Sequence, residues 1–239
     1  MITLAFDSTA KAASVAVVKD GRVLADFTVD NGLTQSELLL PMAESVLHAL
    51  KLSFSDVNLL AATVGPGSFT GVRIGVALVK GIAFGKSTPC VAVSTIEALA
   101  ENLSPIDAVI VPVMDAKRSQ VYTAIFDSDG KEIKRLTEDM AIGIDELAKR
   151  LDVVARGRKI YLSGDGYEIA KKMLTELGVK VEETPALLIN ENAASVAKVA
   201  IRSYERGKYV TDSEFIPTYL RVPQAERERL EREAGKSAQ

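Results

Sequence analysis

Two aspartates stand where a carboxylate could do chemistry. Asp7 follows the apolar run at residues 2–6 and opens the bend Asp7-Ser8-Thr9, and Asp115 follows a second apolar run at 108–114. A carboxylate just past a strand can ligate a magnesium-bound phosphate, or it can cap its own bend by accepting from nearby backbone N–H groups. Bend capping is the simpler role for both, because no glycine in Asp7-Ser8-Thr9-Ala10 lets backbone approach a phosphate. Gly164-Asp165-Gly166 offers a second close approach, but reads as a plain strand-to-helix turn.

The glycine-rich stretch at 65–71, Gly-Pro-Gly-Ser-Phe-Thr-Gly, nearly fits known motifs and fails each. It is one residue longer than the dinucleotide fingerprint, and no acidic residue ends the next strand to hold a ribose. Gly81, Gly85, Lys86 and Ser87 resemble the end of a phosphate loop, but the spacing is one short and they close a helix rather than open one. Ser68 has Pro66 two places before it, so it is no nucleophile elbow. The single histidine, His48, shares a helical face with Glu44 and Lys51 and reads as solvated, which removes most zinc and triad chemistries. The lone cysteine, Cys90, sits in an apolar run as a small hydrophobe. The sequence calls for no metal and no cofactor. Arg156, Arg158 and Lys159 could touch RNA, but they flank a strand in solvent, and a formal net charge of -3 argues against a surface built to hold nucleic acid.

These residues are positioned by a regular series of elements. Apolar runs at 2–6, 14–18 and 23–29 predict strands, the last two joined by the hairpin turn Lys19-Asp20-Gly21-Arg22. Leu39, Met42, Ala43, Val46, Leu47 and Leu50 recur at helical spacing after the cap candidate Ser36, with Pro41 distorting the first turn. A buried strand at 59–64, a helix capped by Ser68 or Thr70, a strand at 90–93 and a helix opened by Ser94-Thr95 follow, and Ser104-Pro105 is the candidate hinge. The order then begins again: strands at 108–114, 121–126 and 132–136, a helix around 145–151, a strand at 159–162, a helix to 177, a short strand at 179–181 and a helix over 193–206.

The interval from strand-end aspartate to turn glycine is nearly equal in the halves, Asp7 to Gly21 and Asp115 to Gly130, so the chain reads as duplicated. The expected fold is α/β, two-lobed and actin-like, the ribonuclease-H-like fold shared with sugar kinases. Its first lobe spans 1–105 and its second 106–221, with a charged tail over 222–239. By analogy with that fold, Asp7, Ser8, Thr9 and Asp115 are candidates for a degenerate nucleotide cleft.

The most informative helix runs from Gly71 to about residue 84. From 72 to 83 its only charged residues are Arg73 and Lys80, seven apart and so on one narrow stripe. A helix apolar almost all round needs cover on two sides, from its own sheet and from something else, such as a partner protein. Gly71 and Gly75 form a small-residue strip for close backbone approach, either by that partner or by the chain's own sheet. The helix is too short to cross a membrane, which takes about 20 residues, and the N-terminus reads directly as a strand, which suggests a cytoplasmic protein.

Four stretches together resemble one family: FDSTAKAASVAV, QSELLLP, VGPGSFTGVRIGVALVKGIAF and PTYLR. They are similar to the TsaB family, the non-catalytic subunit of the bacterial machinery that makes threonylcarbamoyladenosine at position 37 of tRNAs reading codons that begin with A. The resemblance implies a scaffold that pairs with the catalytic paralogue TsaD through the first two helices of each subunit. An ATPase, TsaE, joins them, homodimers form when the chain is alone, and tRNA is met only through the complex. Carried over, the interface is Ser36, Leu39, Glu44 and Leu47 on the first helix and Gly71, Arg73, Ile74, Gly75, Leu78 and Lys80 on the second. One departure is Gln35, where the family commonly has histidine. The competing readings are an actin-like ATPase or kinase using Asp7 and Asp115, or a peptidase.

Overall fold

The computed structural model describes residues 1–117 and 120–220. Its first sheet is built from β1 (Ile2–Asp7), β2 (Ala13–Lys19), β3 (Arg22–Val29), β4 (Leu59–Thr63) and β5 (Cys90–Val93), in the order β3-β2-β1-β4-β5. The first three strands pair antiparallel, and β4 and β5 run parallel to β1. Asp20 and Gly21 both take positive φ, 50° and 78°, in the tight turn between β2 and β3, as their types predict. Parallel pairing requires crossover helices, here α1 (Gln35–Ala49) and α2 (Phe69–Ala83). Both lie on one face of the sheet, where Leu39, Met42, Val46, Val72, Val76 and Val79 join Leu4, Phe6 and Leu60 in the first core.

Helix α1 starts two residues earlier than Ser36 suggested. Thr34 is its cap, and the Glu37 carboxylate accepts from the Thr34 N–H at 3.0 Å and from its hydroxyl at 2.7 Å. At α2 the Ser68 hydroxyl accepts from the Gly71 N–H at 3.2 Å.

The second lobe is a six-stranded sheet centred on β6 (Asp107–Asp115). The predicted strand at 121–126 is in fact two, β7 (Gln120–Thr123) and β8 (Phe126–Asp129), both antiparallel to β6. The break falls at Ala124-Ile125, where the Ile125 N–H turns to the Thr137 hydroxyl at 2.8 Å and its carbonyl accepts from Leu136 at 2.8 Å. The partner strand splits to match, into β9 (Ile133–Arg135) beside β8 and β10 (Met140–Gly143) beside β7. Helix α4 (Ile144–Ala155), β11 (Ile160–Ser163) parallel to β6, and α5 (Tyr167–Glu176) follow. Residues 179–181 are not a strand. The chain there runs beside β11 and makes only scattered bonds to it, Glu182 N–H to Ile160 carbonyl at 2.9 Å and Thr184 hydroxyl to Leu162 carbonyl at 2.8 Å.

After a 3-10 turn (Ala186–Leu188) the chain crosses back. Helix α6 (Ala193–Glu205) packs Val196, Ala197, Val199 and Ala200 on the second face of the first sheet, against Ala5, Leu59, Ala61, Val91 and Val93. Helix α6, within the span 106–221 expected for the second lobe, thus packs on the first sheet, because a sheet with one face covered by α1 and α2 still has an apolar face to bury. Helix α3 (Thr95–Glu101) joins the lobes, its Ile96, Leu99 and Ala100 meeting Ile110, Met114 and Phe126 of the second. Glu101, almost wholly buried, is held by Lys198 at 2.6 Å and Arg202 at 2.8 Å from α6.

Candidate functional site

Two regions gather the residues singled out above: the bends between the lobes and the outer face of α1 and α2. In the first, Asp7 is buried and its Oδ1 accepts from the Thr9 N–H at 2.9 Å and the Thr9 hydroxyl at 2.7 Å. Asp115 does the same one lobe over, accepting from the Lys117 N–H at 2.7 Å and its ammonium at 2.6 Å. The two aspartates are matched caps of matched bends. Their charges differ in setting: the bond from Lys117 holds Asp115 below the usual carboxylate range, whereas burial raises Asp7.

Two further acids join them that sequence reading did not single out as site residues. Asp165, on the loop after β11, accepts from the Asp115 N–H at 3.0 Å and is raised by burial. Glu191, before α6, is buried and is pushed up to about 8, first by burial and then by the charge of Asp7. Glu191 lies between two asparagines with no periodicity around it, so nothing local marked it.

Several backbone donors that a phosphate could use at these bends are engaged by the chain itself. At the start of α2 the Thr9 carbonyl accepts from the N–H of the cap residue Ser68 at 2.7 Å, and the Ser68 hydroxyl accepts from the Gly71 N–H at 3.2 Å. The glycine turn after β11 is also spent, with the Gly164 N–H on the Ile189 carbonyl at 2.6 Å and the Gly166 N–H on the Val113 carbonyl at 3.0 Å. Asp115, whose charge Lys117 favours, adds repulsion toward an anion.

The helices give the second region. Gly71 and Gly75 pack on their own chain: a Cβ on Gly71 would fall inside the Ser8 carbonyl, and one on Gly75 would sit 2.6 Å from the Ser8 hydroxyl. Leu39 and Leu47 are likewise buried in the first core. These four residues, expected at a partner interface, therefore serve the chain's own packing, since each lies on the helix face turned to β1, β2 or β4. Ser36, Glu44 and Arg73 are exposed, and Ile74, Leu78 and Lys80 half-buried. Together with Leu40, Ala77, Gly81 and Phe84, which the sequence reading left out, they form an outward apolar surface edged by charge. Phe84 is 79% exposed. Exposed leucine and phenylalanine at the outer helical spacing was the signal available.

The flank of α2 is covered by the chain's own C-terminal segment. Val210 pairs with Cys90 at the edge of β5, Phe215 is fully buried among Val76, Val79 and Ala83, and Thr218 N–H donates to the Val64 carbonyl at 2.8 Å. The Lys80 ammonium donates to the carbonyls of Ser213 at 3.1 Å and Phe215 at 3.3 Å. The second cover of α2 is thus in part internal. Gln35 donates to the carbonyls of Ala10 at 2.9 Å and Lys11 at 3.2 Å, tying α1 to the first bend. His48 is exposed, and burial pushes the Cys90 thiol up to about 11. Arg158 bonds to Asp107, Asp127 and the Ser128 carbonyl, so it braces strand ends.

Comparison with known proteins places this arrangement. The family model described as TsaD, tRNA N6-adenosine threonylcarbamoyltransferase, matches residues 34–229. The tRNA threonylcarbamoyladenosine biosynthesis protein TsaB of Bacillus subtilis is 28% identical across 97% of this chain and 99% of its own length. Its Escherichia coli counterpart of the same name is 30% identical across 92% of this chain and 95% of its own. The chain belongs to the TsaB family. A solved structure, YeaZ from Pseudomonas aeruginosa, is 25% identical, covers 92% of this chain and 99% of its own, and superposes with a TM-score of 0.75. The two-lobed fold is the actin-like one. Among the described residues no helix is long and apolar enough to cross a membrane.

Proposed function

We propose that this chain acts in the synthesis of threonylcarbamoyladenosine on tRNA as an accessory subunit, pairing with the catalytic paralogue TsaD through the outer face of α1 and α2. One observation carries the reading: in a chain of this family, that face leaves Leu40, Ala77 and Phe84 exposed together with Ser36, Glu44 and Arg73. An apolar patch rimmed by polar groups marks a protein contact. The chain contributes no chemistry of its own: the carbonyls of Ser8 and Thr9 pack on the start of α2, where a kinase or ATPase would need open backbone for a phosphate. TsaE joins the pair, tRNA is reached through the assembled complex, and a second copy occupies the same face when TsaD is absent.

The deciding experiment is threonylcarbamoyl transfer to tRNA by TsaD and TsaE with ATP and threonylcarbamoyl-adenylate, with this chain present, omitted, or as the only protein. Activity that requires the chain yet never arises from it alone is the expected result. Transfer that proceeds equally well without it removes the accessory role.

A further inference from the structure

On the outer face of α2, one guanidinium is held in a fixed orientation with its binding edge unused. Arg73 is exposed, and its guanidinium carbon lies over the Phe69 ring, 3.8 Å from the centroid. Its Nε donates to the Tyr219 hydroxyl at 2.9 Å, and the two rings lean together with centroids 5.3 Å apart. Tyr219 is itself anchored: the Thr218 N–H is bonded to Val64, and the Thr218 carbonyl lies where a Cβ on Gly65 would be. The terminal nitrogens of Arg73 have no partner among the described residues. Stacking and the Nε bond remove most of the side chain's freedom, so little entropy is left to lose when the planar fork meets a carboxylate.

We propose that Arg73 is the receptor for a carboxylate on the protein that docks on α1 and α2, and that Tyr219 and the segment carrying it are part of that docking surface. This rests on the pairing reading above. The surroundings select a single carboxylate on a protein rather than the phosphates of an RNA. Ala77 and Leu40 give the face an apolar character, and Glu37 and Glu44 on α1 repel a polyanion. The other cation of α2, Lys80, is spent on the carbonyls of Ser213 and Phe215.

The test is the affinity of the purified full-length chain for TsaD, by calorimetry at low salt and at about 0.5 M salt, for wild type, R73M, R73K, Y219F and A77R. Thermal melts of each variant establish that it is folded. R73M is expected to weaken pairing by about tenfold or more and to flatten its salt dependence. R73K recovers little, because an ammonium has no fork, and Y219F gives a partial loss by freeing Nε. A77R, which puts bulk and charge at the centre of the face, abolishes pairing. If A77R abolishes pairing but R73M leaves both affinity and salt dependence unchanged, the receptor role is overturned while the pairing surface stands. If A77R also pairs normally, the surface itself is wrong. If R73M instead removes salt-sensitive binding of tRNA by the isolated chain, the anion is a phosphate and the carboxylate assignment fails.

Discussion

Ser8 and Gly71 are joined across 63 residues of sequence: the Ser8 hydroxyl donates to the Gly71 carbonyl at 2.8 Å, and the Ser8 carbonyl occupies the space that a Cβ on residue 71 would need. The contact seats the start of α2 on the bend after β1. Gly71→Ala is expected to cost about 1–3 kcal/mol, because the obstacle is backbone and cannot swing aside. Gly75→Ala meets only the Ser8 hydroxyl, so Ser8→Ala should relieve part of its cost. Urea unfolding of the two single variants and the pair measures that coupling. An additive pair would remove Ser8 as the obstacle.

The same geometry alters what a larger residue at Gly75 reports. Leucine there would lift α2 from β1, so any loss of pairing with TsaD should come with a lower melting temperature. A77R should lose pairing at an unchanged melting temperature. Melts run beside the binding assay separate packing from interface.

Stability should fall as pH rises from about 5 to 8. Glu191 is raised from 4.5 to about 8 in the folded chain, and Asp7 is raised as well. Below the unfolded value both states hold the proton and the contribution is complete. Between the two values the unfolded chain releases a proton that the folded chain keeps, so each step up in pH favours unfolding, and above about 8 the loss is complete. Glu191→Gln should flatten the slope in urea unfolding between pH 5 and 9, and a slope unchanged by it would place the titration elsewhere.

Phe215 is fully buried against α2. Phe215→Ala is expected to cost about 3–5 kcal/mol and to free the segment 210–220. Hydrogen exchange at Val210, Cys90 and Thr218 should then speed together, and protection that persists would show that the backbone bonds alone hold it.

Glu101 and Glu146 both make ion pairs, with very different consequences. Glu101 is almost wholly buried between Lys198 and Arg202, and Glu101→Ala should cost about 3–5 kcal/mol by stranding charge at the lobe boundary. Glu146 pairs with Arg150 one turn away on the exposed surface of α4. Its replacement should cost no more than about 0.5 kcal/mol. Equal effects on the melting temperature would contradict the burial.

Much was legible in the chain because it is local. Alternating and helical spacing placed β1 to β5 and α1 to α3, Asp20-Gly21 marked its turn, and Asp7 and Asp115 marked the repeat and capped their bends as expected. The apolar circumference of α2 also showed that two covers were needed. What covers it was not readable, because periodicity describes a helix and not the distant segment that meets it. The same limit hid the return of α6 to the first sheet, the burial of Glu191 beside Asp7, and the hold on Arg73 by Tyr219, 146 residues away. Gly71 and Gly75 show the boundary most clearly. Their spacing allowed a close approach by something, and only the folded chain could decide that it is Ser8, by its carbonyl at Gly71 and its hydroxyl at Gly75, since the choice between self and partner rests on which apolar faces remain uncovered once both sheets have formed.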